Sequence, residues 1–291
     1  MPASNDLLHQ MAALAIQGQT VLITGASGGI GRAIASVFRQ SGCNLILLGT
    51  DAAKLKTTVA ELPKGESDVW SYVCDLRKRK DVKETIEKTV KECKPVDILI
   101  NNAGYALHAT RLFWEQDLDD VASVMDVNVS GLMTITHAVL RQHMMRREPQ
   151  PKGTIVNISS ITGHQAPLKE GYETSYHTSK VKAFSLCRAA VEGFSNILRH
   201  ETIGTNIRVL VHRPGTTHTE FHTRRVEYNA DKTAAIFDGM GALHAEDLAV
   251  GVLWQCIQPE RVSVVLMETL ATAQRSNYAI DKEWEKRNGK H

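Results

Sequence analysis

Val21-Leu22-Ile23-Thr24-Gly25-Ala26-Ser27-Gly28-Gly29-Ile30-Gly31 is the stretch on which the fold turns. A short run of apolar residues makes a buried strand, and a glycine-rich turn follows at once. Ile30, Ile34, Val37 and Phe38 then recur with helical period until Ser41-Gly42 ends the helix. The first turn of such a helix has unbonded N–H groups and the positive end of the helix dipole, so the turn is shaped to hold a pyrophosphate. Gly25 permits the tight turn, Gly29 lets the backbone come close to phosphates, and Gly31 brings helix and strand into contact.

Working outward, short apolar runs alternate with longer helical segments along the chain. Strands are expected at 45–48, 69–73, 96–100, 154–158, 207–211 and 263–267, and helical periodicity runs through 82–90, 121–145 and 181–198. This alternation predicts an α/β fold, a single-domain Rossmann-type doubly wound parallel sheet of about seven strands with helices on both faces. Residues 1–17 read as a partly ordered leader, 18–275 as the domain and 276–291 as a C-terminal tail.

Composition narrows the function classes. With 34 Lys and Arg against 32 Asp and Glu, there is no charge excess to draw nucleic acid or an anionic membrane, so a small-molecule partner is expected. The apolar run from Met11 to Ile16 is too short to span a bilayer, and no basic segment precedes it. The five cysteines are scattered and form no C-x-x-C pair, which fits reduced thiols in a cytoplasmic setting. His108, His164, His212 and His218 lack ligand spacing, so no metal is expected. Arg77-Lys78-Arg79-Lys80 reads as a solvated helix start.

At the nucleotide end, an acid closing the second strand ordinarily binds a ribose 2′-hydroxyl, and here that position is Gly49. Thr50 and Asp51 follow, and Arg32 stands just past the last glycine, where a guanidinium reaches toward a 2′-phosphate. NADP(H) is therefore favoured over NAD(H), with Asp51 as the carboxylate that would reverse the choice. Asp75 either bonds the adenine edge or caps the following helix.

Further along, Tyr176 and Lys180 share one helical face, and an ammonium beside a phenol favours the phenolate, which brings proton exchange toward neutral pH. Asn101-Asn102-Ala103-Gly104 and Asn157-Ile158-Ser159-Ser160-Ile161-Thr162-Gly163 end two strands, where an open α/β sheet builds its crevice. Through T-G-x-x-x-G-x-G at 24–31, N-N-A-G at 101–104 and Y-x-x-x-K at 176–180, the sequence resembles the short-chain dehydrogenase/reductase family over about residues 18 to 275.

That resemblance implies a hydride transferred between nicotinamide and a carbonyl or secondary alcohol. It implies Tyr176 as general acid/base, Lys180 lowering the phenol pKa and holding the nicotinamide ribose, Ser160 (preferred to Ser159) bonding the substrate oxygen, and Asn128 completing the tetrad. It also implies cofactor contacts from Gly25, Ser27, Gly28, Gly29, Ile30, Gly31, Arg32, Thr50, Asp51, Asp75, Leu76, Asn102, Ala103, Gly104, Pro214, Gly215, Thr217 and Thr219. Thr219 reads equally as an N-cap. Association as a homodimer or homotetramer through the 121–145 and 176–198 helices is a further implication of the resemblance.

Within the family, Pro214-Gly215 with Thr219-Glu220-Phe221, then 245–249 and 272–274, look like the branch of NADP-dependent 3-hydroxy acid dehydrogenases. The longer 163–176 segment, carrying Tyr172, and Arg213 before the proline depart from the usual pattern and reshape the expected substrate pocket. Arg213 either clamps a substrate carboxylate or pairs with an acid such as Glu220. A reductase of larger biosynthetic ketones and a non-catalytic cofactor sensor are the alternatives.

Overall fold

The apolar runs pair side by side as seven parallel strands: β1 Thr20–Thr24, β2 Asn44–Gly49, β3 Val69–Val73, β4 Ile98–Asn101, β5 Lys152–Ile158, β6 Asn206–Pro214 and β7 Leu266–Thr269. The computed structural model describes residues 3–107, 113–165 and 182–289. Across the sheet the order is β3-β2-β1-β4-β5-β6-β7. The chain therefore winds outward from β1 in one direction and from β4 in the other, which opens a crevice at the carboxyl ends of these two central neighbours.

Among the described residues the α-helices are α1 Ala3–Ile16, α2 Gly29–Gln40, α3 Ala52–Glu61, α4 Arg79–Glu92, α5 Leu118–Met125, α6 Leu132–Gln142, α7 Lys182–Glu201, α8 Glu220–Arg225, α9 Ala230–Phe237, α10 Ala245–Cys256 and α11 Trp284–Asn288. The strand period of two sends alternate side chains to opposite layers. Val21, Ile23, Leu45, Leu47, Ile98 and Ile100 pack with Ile34 and Phe38 of α2 and Ala249 and Val252 of α10. Leu22, Ile46, Leu48 and Leu99 face the other way, onto Val82 and Ile86 of α4 and Ile135 and Val139 of α6. The side chains on both faces are buried, and each fully buried leucine or isoleucine contributes about 2 kcal/mol through the hydrophobic effect.

Several boundaries differ from the sequence reading. β4 starts at Ile98 because the Val96 N–H is taken by Nδ1 of His143 at 3.3 Å. β7 lies later than 263–267, since its pairing sets Leu266 opposite Val211 and Thr269 opposite Pro214. The 121–145 helix is not continuous: a π-helical turn, Asp126–Gly131, separates α5 from α6, and a 3-10 turn at Met144–Arg146 follows. Such turns concentrate at functional sites.

Both the first helix and the C-terminal segment make contacts with the domain. In α1, Ala12 and Ile16 are buried in the core layer that α10 shares, so the short apolar run seats a helix. At the other end, Asp281 N–H donates to the Ala273 carbonyl and Gln274 bridges to Ile280, which folds the segment back onto the domain. No described helix is long and apolar enough to cross a membrane.

Candidate active site

A cavity of about 500 Å³ opens at the carboxyl ends of β1 and β4. At its floor, Gly25 has φ +64°, and a Cβ there would lie 2.8 Å from Ala103 Cα. Asn102 locks the two strand ends together: its Nδ2 donates to the carbonyls of Thr24 and Gly25 at 3.1 and 3.2 Å. The N–H groups of Asn102 and Ala103 donate to Thr24 Oγ1.

Gly28 is the N-cap of α2 and brings no capping side chain, so the helix leaves first-turn N–H groups for an anion. Ser27, Gly28, Gly29 and Ile30 line the cavity. Gly31 does not; a Cβ there would fall 2.2 Å from the Gly25 carbonyl oxygen, which is the close helix–strand contact expected of it. A Cβ on Gly29 would lie 3.0 Å from Thr219 Cγ2, so the smallness of glycine admits the 214–219 segment as well as a phosphate. These features form a cradle that side chains would fill, and it fits a dinucleotide.

The ribose end is built differently from the expectation. Arg32 does not line the cavity; its guanidinium pairs with Glu61, the last residue of α3, at 2.9 Å. Lys54 and Arg77 line the cavity beside Gly49, Thr50 and Asp51. Asp51 caps α3, accepting the Lys54 N–H at 3.0 Å. Asp75 is not a helix cap: it accepts both Nε and Nη2 of Arg77, at 2.9 and 2.7 Å, and the Arg77 N–H at 3.1 Å. The Arg77 guanidinium holds the Asp75 carboxyl below its usual range, against a smaller opposing effect of burial. Leu76 is buried and lines the cavity. Lys54 Nζ also meets Glu220 of α8 at 3.0 Å, a contact that crosses the cavity mouth.

At the opposite end, Ser160 lines the cavity and its Oγ accepts from the Thr162 N–H and hydroxyl at 3.2 and 3.1 Å. With both acceptor sites occupied, the Ser160 O–H remains to donate. Ser159, the rival, is 3% exposed and donates to Glu192 at 2.7 Å. Asn128 is buried in the π-helical turn and clasps the backbone of Tyr105, accepting from its N–H at 3.0 Å and donating to its carbonyl at 2.8 Å. Pro214 and Gly215 close the far wall; the Gly215 N–H donates to Thr269 and the Thr216 N–H to buried Gln274, a lining residue the sequence reading passed over. Thr217 is buried and donates to the Gly215 carbonyl at 3.1 Å. Thr219 is the N-cap residue of α8 but makes no capping side-chain bond.

Tyr172, Tyr176, Lys180 and His108 lie outside the described residues. Among the described residues of α7, Arg188 reaches the cavity; it is 5% exposed and donates to the Ile158 carbonyl at 2.6 Å. A Cβ on Gly104 would lie 2.6 Å from its Nη2 and 2.7 Å from Asn128 Oδ1, so Arg188 and Asn128 flank the same point of the N-N-A-G turn. Burial depresses the Arg188 pKa to about 10, a value at which it is still a cation at neutral pH.

Arg213 is neither a cavity residue nor a partner of Glu220. It binds Glu192 through Nε and Nη2, at 2.8 and 2.6 Å, and approaches Glu268 at 3.7 Å. Burial alone would raise the Glu192 pKa, but the bonds from Arg213 and Ser159 outweigh it and leave the carboxyl below its usual range. Local spacing in the sequence carries no sign of a pair joining α7 to β6. Among the described residues no cluster of three or more His, Cys, Asp or Glu is placed to hold a metal ion. His212 is a core residue bonded to Gln255 at 2.8 Å, and His218 packs on Phe237.

Comparison with known proteins agrees with this arrangement. Sulfoacetaldehyde reductase 2 of Chromohalobacter salexigens is 34% identical over 90% of this chain and 98% of its own. The NADP-dependent 3-hydroxy acid dehydrogenase of Schizosaccharomyces pombe is 33% identical over 88% and 92%. The closed form of a serine dehydrogenase complexed with NADP+ superposes with a TM-score of 0.77 at 29% identity, covering 88% of this chain and 96% of that one. The short chain dehydrogenase family model matches residues 19–230, and with the seven-stranded sheet and the cavity at its switch point, the chain belongs to that family.

Proposed function

We propose that the protein is an NADP(H)-dependent oxidoreductase acting on a small alcohol or carbonyl compound that carries an acid group, with 3-hydroxy acids favoured. One observation carries this reading: a single cavity joins the uncapped, glycine-lined N-terminus of α2 to the hydroxyl of Ser160. The nicotinamide supplies the hydride donor or acceptor. Gly28 and Gly29 hold the pyrophosphate, while Lys54 and Arg77 face a 2′-phosphate, which supports NADP(H) over NAD(H). Asp51 is engaged as a helix cap, its Oδ1 accepting the Lys54 N–H.

At the reacting end, Ser160 donates its free O–H to the substrate oxygen, and Tyr176 takes the alcohol proton on oxidation or returns it on reduction. Asn128 holds the Tyr105 backbone and so fixes the wall beside this path. Two of the relatives favour the small acid substrate: a sulfoacetaldehyde and a 3-hydroxy acid each present an oxygen for reaction and an acid group a few bonds away.

The test follows reduced-nicotinamide absorbance for wild type and Tyr176→Phe, with NADP+ and 3-hydroxy acids, and with NADPH and bulky ketones. Acid turnover that falls at least ~100-fold in the variant is the expected result. Turnover that survives Tyr176→Phe would remove the tyrosine from the mechanism; turnover of bulky ketones alone would replace the small-acid reading by the biosynthetic one.

A further inference from the structure

An acid group entering a half-closed cavity needs a cation to replace its water. Arg213 cannot serve, being bound on two sides by Glu192 and Glu268. Of the cations that line the cavity, Lys54 and Arg77 stand beside Gly49 at the end assigned to the cofactor ribose, and Arg188 is buried on the Ile158 carbonyl. Arg224 is different. It projects from the last turn of α8, lines the cavity, and makes no ion pair with a carboxylate among the described residues.

Its guanidinium sits over the ring of Tyr105, 4.8 Å from the centroid. Stacking fixes the plane of the guanidinium and leaves its N–H edge without a carboxylate partner among the described residues, the arrangement suited to gripping two oxygens at once. Tyr105 is itself immobilised: Asn128 holds its backbone from both sides, and its hydroxyl shares a hydrogen bond with Ser123. The unpaired cation is thereby built onto the same support as the reacting end of the cavity, on the turn that follows Gly104.

Resting on the acid-substrate reading above, we propose that Arg224 binds the substrate's carboxylate or sulfonate and sets the preference for acid over neutral substrates. The experiment compares kcat/KM for 3-hydroxypropionate, 2-hydroxyethanesulfonate and neutral 1-propanol, each with NADP+, in wild type, Arg224→Met and Arg224→Lys. Methionine keeps a flexible apolar stem over Tyr105 and removes the charge. The ratio of acid to neutral kcat/KM is expected to fall about 100-fold in Arg224→Met, chiefly through KM, with part of it regained in Arg224→Lys. A fall confined to one of the two acids identifies the anion the site takes. An unchanged ratio in a folded Arg224→Met protein, or an equal loss for acid and neutral substrates, overturns the assignment while leaving the acid reading intact. A wild type that oxidises 1-propanol but neither acid removes that reading, and this assignment with it.

Discussion

His143 shows how much a single buried side chain couples the protein to pH. Its Nδ1 accepts the Val96 N–H, so the proton is on Nε2, which donates to Thr89 at 3.1 Å. Both bonds belong to the neutral ring. Burial pushes the pKa down from 6.5 to about 4, and the charges of Arg147 and Arg146 act in the same direction. Between these values the unfolded chain binds the extra proton, so stability from this residue is complete above 6.5 and is lost as pH falls toward 4. The unfolding free energy from denaturant titration should decline over that window by an amount on the order of 3 kcal/mol. His143→Gln should flatten the decline, and an identical slope in the variant would mean that other groups are responsible. At this scale the sequence placed both serines at the end of β5, and the structure puts Ser160 on the cavity wall and Ser159 on Glu192. The sequence was blind to Asn128 clasping Tyr105, because their contact depends on a π-helical turn that amphipathic periodicity does not reveal.

At the scale of elements, the N-terminus of α2 was readable because strand, glycine turn and helix are contiguous, and each glycine answers a local steric demand. The ribose end was not readable in the same way. Arg77 belongs to a charge run that looks like a solvated helix start, and only the parallel pairing of β2 with β3 brings the turn after β3 beside Gly49. Removing Arg77 and Lys54 together by alanine substitution should weaken NADPH binding by about 10-fold or more and leave NADH within about 3-fold, as read by cofactor fluorescence titration. Equal losses for both cofactors would dismiss the two cations as readers of the 2′-phosphate. Along α7, the cavity-lining Arg188 stands eight residues after Lys180 in sequence. Spacing alone could not tell that Arg188 and Asn128 flank the same point of the turn at Gly104.

For the whole molecule, α6 and α7 present Met133 at 43% and Ile197 at 61% exposure, and α5 begins with Leu118 at 68%. Exposed apolar groups on the helices flanking the cavity support the expected dimer or tetramer. Light scattering should give a mass at least twice that of one chain, and Ile197→Glu should reduce it; a monomeric wild type would end that reading. The sequence by itself determined the doubly wound sheet, the position of the glycine cradle and the strand ends that frame the cavity, because periodicity and turn chemistry are properties of neighbouring residues. Tertiary structure alone decided which charges are available to a ligand. Arg32 is held by Glu61 and Arg213 by Glu192, while Arg224 lies over Tyr105 with no carboxylate partner among the described residues. A cation's role depends on which acid lies within a few ångströms, and the folding of distant segments onto one sheet sets those distances.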